Sequence, residues 1–314
     1  MSLNIKENGY QQPMLLDASP SVRVQRKKGP GKWSTEFWML LPSLVLLAMI
    51  SIFPLMYMIY ASMMDFTLSF DEPAFNGLKN WKNVFTSDTF WASWGRTAVY
   101  ALCGLSLEMA VGVGMALLIH QLPRARNAIL TLWMIPLFVA PVVVGLLGRF
   151  MLNSTYGLYA WLFRLIGVET EILGDVSTAL PAIILMDVWE WSPLITIIVY
   201  AGLQSLQEEV LEAAEVDGAG YWRKLIHVVF PLISRTVVLA LLIRMMDIFR
   251  FVDTIKIATE GGPADSTKII GFHLMEVAFR FQDFGSAAAL GLTMLFVTII
   301  LGQLFVRFMR KGEA

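Results

Sequence analysis

Hydrophobic residues gather into six long blocks along the chain, near positions 37–62, 92–120, 127–151, 179–202, 236–258 and 285–308, with polar connections between them. A helix rises about 1.5 Å per residue, so blocks of roughly 20–30 residues match the ~30 Å hydrocarbon core of a bilayer. Lipid supplies no partner for backbone N–H and C=O groups, which leaves helices as the way for such segments to cross. The pattern predicts an all-α integral membrane protein. It has six transmembrane helices within residues 36–310, an N-terminal tail over 1–35 and a short C-terminal end over 311–314. Pro42 and Pro54 in the first block and Pro136 and Pro141 in the third are expected to kink their helices. Gly104, Gly112 and Gly114 in the second offer room for close helix packing.

Lysine and arginine set the orientation. With the N-terminus inside, fourteen of the 24 fall in the tail, the even connections and the C-terminal end, six in the outer loops, and four in or at the ends of spans. Positive charge stays on the cytoplasmic side, so both termini are expected there. The tail carries a basic knot, "RVQRKKGPGK", before the first apolar block, whereas a signal peptide places its apolar stretch directly after a short basic start. Among the outer loops, "FNGLKNWKNVF" (75–85) mixes aromatics with turn formers. "NSTYGLYAWLFRLIGV" (153–168) reads as a short interfacial helix, and "TEGGPADSTK" (259–268) as a Gly-Pro turn.

Composition agrees with a membrane protein and narrows the chemistry. Hydrophobic residues make up 56% and charged residues 16%, against about 25% charged in soluble domains. A net charge of −1 gives no field for nucleic acid. The single cysteine, Cys103, excludes an internal disulfide or a cysteine metal cluster. No G-x-x-x-x-G-K-[ST] loop occurs, so ATP is not expected to bind this chain, and "GGPADSTK" has its glycines and lysine in the wrong order for one. His120, His227 and His273 are scattered without ligand spacing.

One connection is unusual. "EEVLEAAEVDGAGYWRKLIHVVFP" (208–231) places five carboxylates, two glycines and two adjacent bases between the fourth and fifth blocks, on the cytoplasmic side. Residues 206–217 are helix formers with an apolar stripe (Leu206, Val210, Ala213, Ala214) and an acidic face (Glu208, Glu212, Glu215). Gly218 and Gly220 then break the helix, and "YWRKLIHVVF" restarts it. By its residues alone such a hairpin is either a docking knob or a solvated amphipathic loop.

The same stretch resembles the EAA loop of binding-protein-dependent ABC importer permeases. The pattern is Glu-Ala-Ala, three residues, Gly, nine residues, an aliphatic, one residue, a hydrophobic residue, Pro. Here it falls on Glu212, Ala213, Ala214, Gly218, Val228, Phe230 and Pro231. Phe230 stands where leucine is usual. "NGLKNWKNVF", "GLQSLQEEVLEAAEVDGA", "TEGGP" and "FQDFGSAAALG" are similar to the carbohydrate branch, the maltose-type permeases. The resemblance implies the type I ABC importer permease fold, with residues 204–235 forming a coupling loop. It implies a non-catalytic subunit of the bacterial inner membrane that holds no cofactor, since ATP and Mg²⁺ are bound by a partner ATPase dimer. Glu212, Ala213, Ala214, Asp217 and Gly218 would dock into that dimer. A second homologous permease would complete the pathway, and an extracytoplasmic solute-binding protein would sit on the loops near 75–85, 153–175 and 259–284.

Charges inside the spans are the candidate solute site, because each costs about 2.5–3.5 kcal/mol to insert at mid-bilayer. Span four holds "MDVWEWSP", and span five holds Arg244, Asp247, Arg250 and Asp253 three residues apart. Either the alternating signs pair along one helix face, or they serve a sugar through hydroxyl hydrogen bonds and tryptophan stacking. The maltose-type resemblance matches the sugar contacts to Asp187, Glu190, Trp191, Leu194, Met246, Asp247 and Arg250. Several of these residues are more charged or bulkier than the maltose pattern, which argues against maltose itself, and Arg250 brings an anionic sugar derivative within reach. Glu108 is a further charge in span two, suited to helix pairing or to solute. The rival class is an ion-coupled secondary carrier using Asp187, Glu190 and Asp247 as a relay, which leaves the EAA pattern unexplained. An intramembrane enzyme lacks any nucleophile–base or metal set.

Overall fold

The computed structural model describes residues 35–67, 73–122, 124–165, 167 and 171–311. The expected tail lies outside the described residues except for its last position, as do 312–314. The chain divides into two units, Met1–Ile52 and Phe53–Ala314. In the first, the described residues form the start of α1 (Thr35–Ser62), with large apolar side chains such as Trp38, Leu46 and Ile50 exposed, as suits contact with lipid.

In the second unit, β1 (Met64–Asp65) and β2 (Ala74–Phe75) pair antiparallel and lead into α2 (Lys79–Thr86). The "NGLKNW" stretch acts as a stitch. Buried Asn80 donates from Nδ2 to the carbonyls of Ser62 (3.0 Å) and Met64 (2.8 Å), and Trp81 Nε1 donates to Ser62 Oγ. The two longest buried helices follow: α3 (Asp88–Gln121) and α7 (Ala179–Gln204). On α3 the buried positions recur every three or four residues, from Phe90 through Thr97, Tyr100, Gly104, Glu108, Gly112 and Ala116 to Ile119. That spacing draws one stripe down a helix of 3.6 residues per turn. The stripe faces α7, and its glycines explain how close the approach is. A Cβ at Gly112 would stand 2.6 Å from Ile195 Cβ, while nothing lies within 4 Å of Gly114. Two of the three expected packing glycines therefore face the partner helix, and Gly114 faces open space.

Among the described residues, five helices are long and apolar enough to cross a membrane: Phe37–Ser62, Asp88–Gln121, Ala179–Gln204, Tyr221–Arg250 and Phe284–Arg307. The third predicted span, 127–151, is not a single helix. It forms α4 (Arg126–Trp133), a 3₁₀ turn at Ile135–Phe138, and α5 (Pro141–Met151). Pro136 and Pro141 lack the N–H that would continue the ladder, and Pro141 forces Ala140 into an extended conformation (ψ 140°). A short helix, α6 (Leu158–Leu165), follows where the interfacial helix is expected.

The fifth predicted span, 236–258, is also not a single helix. Its rod begins earlier, in the coupling stretch: α9 (Tyr221–Lys224) runs through a π turn (Leu225–Val229) into α10 (Phe230–Asp247) and ends in a 3₁₀ turn at Arg250. Phe251 is extended, and α11 (Asp253–Ala258) starts afresh. Neither proline nor glycine breaks this span; packing does. The outer fragments of the two broken spans lie against each other. Gly145 of α5 touches the Thr254 backbone, Thr254 Oγ1 donates to the Pro141 carbonyl (3.0 Å), and Arg149 Nη1 donates to the Ile257 carbonyl (3.3 Å). The chain closes with α12 (Ile270–Met275), a π turn at Glu276–Arg280, and α13 (Phe284–Lys311).

Two apolar cores result. One gathers Tyr100, Ile183, Val188, Ile248, Phe251, Ile270 and Leu290; the other gathers Ala116, Ile195, Val199, Leu203, Leu225, Val229 and Ile233. Along both α3 and α7 a polar layer separates them, at Glu108 on α3 and around Asp187–Ser192 on α7.

Candidate functional site

The polar layer centres on Arg244, whose side chain is 1% exposed. Its Nε and Nη2 donate to the two carboxylate oxygens of Glu108, both at 2.7 Å, in a bidentate fork. Nη2 also reaches Asp187 at 3.1 Å, and Nη1 reaches Asp247 at 3.0 Å. The planar guanidinium suits such a fork, since its N–H vectors are fixed in one plane and match carboxylate geometry. It also lies 4.7 Å from the centre of the Trp191 ring, a cation–π distance. One guanidinium thus ties α3, α7 and α10 together at the middle of the fold. Thr196 Oγ1 adds a bond to the Gly112 carbonyl (3.1 Å) and receives Trp133 Nε1 (2.9 Å), which links α4 into the same layer.

Around this hub the side chains sort by exposure. Asp187 and Glu190 are buried, Trp191 and Leu194 half-buried. Asp247, at 39% side-chain exposure, is the carboxylate of the hub that reaches the surface of the fold. Met246 and Arg250 are exposed beside it, where α10 gives way to its 3₁₀ turn. Three polar atoms on consecutive α7 residues are buried without a hydrogen-bond partner: Glu190 Oε2, Trp191 Nε1 and Ser192 Oγ.

The other end of α3 meets the hairpin between α7 and α10. Its first arm, α8 (Glu208–Val216), is capped by Ala219 N–H donating to the Ala214 carbonyl (2.9 Å) and Gly218 N–H to Glu215 (3.0 Å). Gly218 has φ +75°, the left-handed conformation that lets the chain reverse here. Lys224 pairs with Glu215 across the bend. Leu206 and Leu211 root the hairpin on the second core, and Gln121 Nε2 donates to Tyr221 Oη (2.7 Å), tying it to the end of α3. Its outer surface stays bare. Glu212, Ala213, Asp217 and Gly218 are exposed and Ala214 is half-buried, with Val216 at 88% and Trp222 at 71% exposure beside them.

Comparison with known proteins decides the family. Residues 108–311 match the model described as "Binding-protein-dependent transport system inner membrane component". The chain belongs to this family. The permease is 30% identical over 250 residues to the trehalose/maltose transport system permease protein MalF of Thermococcus litoralis, covering 79% of this chain and 83% of that one. It is 28% identical over 308 residues to the sulfoquinovosyl glycerol transport system permease protein SmoG of Agrobacterium fabrum, covering 93% and 98%. Its fold matches a chain in the crystal structure of a bacterial alginate ABC transporter in complex with alginate pentasaccharide-bound periplasmic protein. The TM-score is 0.73 at 20% identity, over 87% of the permease and 92% of that chain. The fold is thus the expected type I ABC importer permease fold, and the chain is a multi-pass inner-membrane transport component.

Of the residues singled out in the permease, the structure draws Asp187, Trp191 and Asp247 onto Arg244, keeps Glu190 buried and Leu194 half-buried on α7, and leaves Met246 and Arg250 exposed at the end of α10. The alternating ladder on span five stops after its first pair. Helix ends at residue 250, so Arg250 and Asp253 are no longer one turn apart on a common face, and no ion pair joins them among the described residues. Arg244 is the residue that sequence reasoning placed in that ladder rather than at the hub. Glu108 was singled out as a lone charge in span two, but nothing local in the sequence names Arg244 as its partner across 136 residues.

At the end of α3 remote from the hairpin, a second charged group braces the loop before α12. Lys268 bridges Asp265 (2.8 Å) and Glu276 (2.7 Å), and Arg96 Nη1 donates to the Lys268 carbonyl (3.2 Å). Burial works against the Lys268 ammonium, but its bonds to Asp265 and Glu276 outweigh it and raise its pKa above the ordinary lysine value. His273 moves the other way: burial first, then the charge of Lys268, hold its imidazole below the ordinary value. His273 Nδ1 has no hydrogen-bond partner among the described residues.

Proposed function

We propose that this permease forms half of the translocation pathway for a sugar- or polyol-like solute, with Asp187, Glu190, Trp191, Leu194, Met246, Asp247 and Arg250 as its wall. A second homologous permease faces that wall. The α8–α9 hairpin, through Glu212, Ala213, Ala214, Asp217 and Gly218, docks on a cytoplasmic ATPase dimer that binds ATP and Mg²⁺. A solute-binding protein delivers solute from the other side, and both termini lie in the cytoplasm. The broken third span completes a sixth crossing. MalF, SmoG and the alginate transporter carry sugars or sugar derivatives in their names, which supports the solute class.

A single observation carries the coupling. One continuous helix, Tyr221–Arg250, begins in the exposed hairpin and ends at the hub beside Asp247. Movement imposed on the hairpin is delivered to the pathway wall without a flexible joint, the rigid-element route by which interface closure becomes rotation of attached helices. Arg244 holds Asp187 and Asp247 in fixed ion pairs, which does not suit them to a proton relay of the kind an ion-coupled carrier needs.

The test is uptake by the complete importer in vesicles that contain ATP and whose ion gradients have been collapsed. Uptake is expected to continue. Asp247→Ala and Glu190→Ala are expected to abolish it while the complex still assembles. Normal uptake in both variants would refute the wall assignment, and loss of uptake on gradient collapse would favour the ion-coupled carrier.

A further inference from the structure

Three fixed points lie along one helix. α3 runs unbroken and without proline from Asp88 to Gln121, 34 residues that reach about 51 Å. Near its N-terminal end, Thr97 Oγ1 accepts the Ile270 N–H (2.9 Å) while its own proton goes to the Ser93 carbonyl (2.7 Å). Arg96 beside it donates to the Lys268 carbonyl. In the middle, Glu108 takes the fork of Arg244 on the rod Tyr221–Arg250. At its last residue, Gln121 donates to Tyr221 Oη, where the same rod begins. Apolar contacts support both ends: Tyr100 stacks on Phe251 with ring centres 5.3 Å apart, and Ile119 shares the second core with Leu225 and Val229.

The segment that α3 grips near its N-terminal end is stiff. Residues 266–273 are all buried, and Thr267 Oγ1 donates to the Gly262 carbonyl (2.9 Å) across the turn. Lys268 pairs with Glu276, and Glu276 pairs with Arg280 at 2.8 Å. Arg280 is 73% exposed on the π turn, with Phe279 beside it at 75%. A run of contacts thus leads from an exposed turn, through Glu276 and Lys268, to Arg96 on α3. The rod cannot make this connection, because it ends at Arg250 and the chain turns at Phe251. α7 runs into the hairpin by chain continuity, yet no hydrogen bond joins it to residues 259–284 among the described residues.

The middle of α3 is pinned sideways. Gly112 lies against Ile195 with no room for a Cβ, and Arg244 holds Glu108. Thr97 stands about 16 Å along the helix on one side of Glu108, and Gln121 about 20 Å on the other. A stiff element held at its middle with arms of similar length turns displacement of one end into displacement of the other.

We propose that α3 is a lever linking the two faces of the permease, with Arg96, Thr97 and Gln121 as its positioning residues. This holds on the proposed reading that the hairpin docks on the ATPase dimer and the opposite face receives the solute-binding protein. A protein pressing on the turn around Phe279 and Arg280 shifts the hairpin, and closure of the ATPase on the hairpin shifts that turn. Coupling between two sites is reciprocal, so either end can be driven and the other read.

The experiment drives the hairpin and reads the opposite face. The complete importer, with Phe279→Cys in a Cys103→Ser background as the parent, is held nucleotide-free or trapped with ATP and vanadate. The rate at which a membrane-impermeant maleimide labels the permease is measured in each state. Trapping is expected to change that rate at least about fivefold in the parent, and less than about twofold in Gln121→Leu and Thr97→Val. Thr97→Ser keeps the hydroxyl, and Gly114→Ala adds a methyl to open space on the same helix; both are expected to respond as the parent does. Gln121 is exposed, so Gln121→Leu is expected to keep the parent's thermal midpoint and amount of trapped nucleotide while losing the response. A parent response undiminished in both Gln121→Leu and Thr97→Val would overturn the lever and leave the docking reading standing. So would a parent rate that ignores trapping while the ATPase is retained. An ATPase that is not retained on the parent permease at all would overturn the docking reading, and the lever with it.

Discussion

Replacing Arg244 by methionine removes one cation and strands three carboxylates. The guanidinium makes hydrogen bonds to Glu108, Asp187 and Asp247, and two of these partners have no exposed surface of their own. Breaking a buried pair by deleting one partner costs roughly 3–5 kcal/mol, because the survivor is left charged and unsolvated. A loss of that size lowers the folded-to-unfolded ratio by about two to four orders of magnitude, at 1.4 kcal/mol per factor of ten. Arg244→Met is therefore expected to reduce the detergent-extracted permease to a small fraction of the wild-type level and to lower its thermal inactivation midpoint. The size of the loss lies in the stranded charges rather than in the arginine. Combining Arg244→Met with Glu108→Gln and Asp187→Asn, which leaves half-exposed Asp247 alone, is expected to recover most of the protein level and midpoint. Arg244→Lys falls between, since an ammonium cannot form the fork to Glu108 while reaching Asp187 and Asp247. Extraction yield and midpoint by fluorescence-detected chromatography give the answer. A single variant as stable as wild type, or a triple variant no better than the single, would refute the reasoning.

The close approach of α3 and α7 gives a second test: Gly112→Ala must push its Cβ into Ile195 and is expected to cost about 1–3 kcal/mol. Gly114→Ala, with open space, is expected to leave the midpoint unchanged, and equal midpoints for the two would count against the packing account. In the hairpin, Gly218→Ala forces a Cβ into left-handed backbone at about 1–2 kcal/mol. It is expected to weaken retention of the ATPase on affinity-purified permease, as is Glu212→Ala, with the permease level in the membrane kept; full retention in both would sink the docking assignment. His273 supplies a pH dependence. Its folded pKa lies below the unfolded value of about 6.5, so the unfolded state takes up its proton first and stability falls as pH drops through that value. The midpoint is expected to decline between roughly pH 7 and 5, and to decline less in His273→Leu; identical profiles would show that another group titrates.

The unbroken spans were legible because a long apolar run in a chain this hydrophobic has one way to satisfy its backbone. The hairpin was legible because acidic helix formers, Gly218 and the bases after it spell a helix, a reversal and a second helix locally. The two breaks differ. Pro136 and Pro141 announced trouble in the third span but not a complete interruption. The interruption after Arg250 has no local signal, since Ile248–Val252 are ordinary helix and strand formers and the packing of α11 on α5 overrides them. Arg244 with Asp247 was readable as an i, i+3 pair. Arg244 with Glu108 was not, because 136 residues separate them and only the facing of three helices brings them together. Likewise the buried and exposed members of the wall could not be told apart before α10 was seen to end at the hub.

The mutual support of α5 and α11 bears on how the chain enters the membrane as it is made. With eleven residues, α5 reaches about 16 Å, and with six, α11 reaches about 9 Å, so each is far short of the ~30 Å that lateral release into lipid requires. As synthesis passes α5, Gly145 presents a bare notch and the Pro141 carbonyl lacks its donor, because Thr254 emerges more than a hundred residues later. A nascent chain halted between α7 and α10 therefore carries α5 without the α11 partner it packs against in the finished fold.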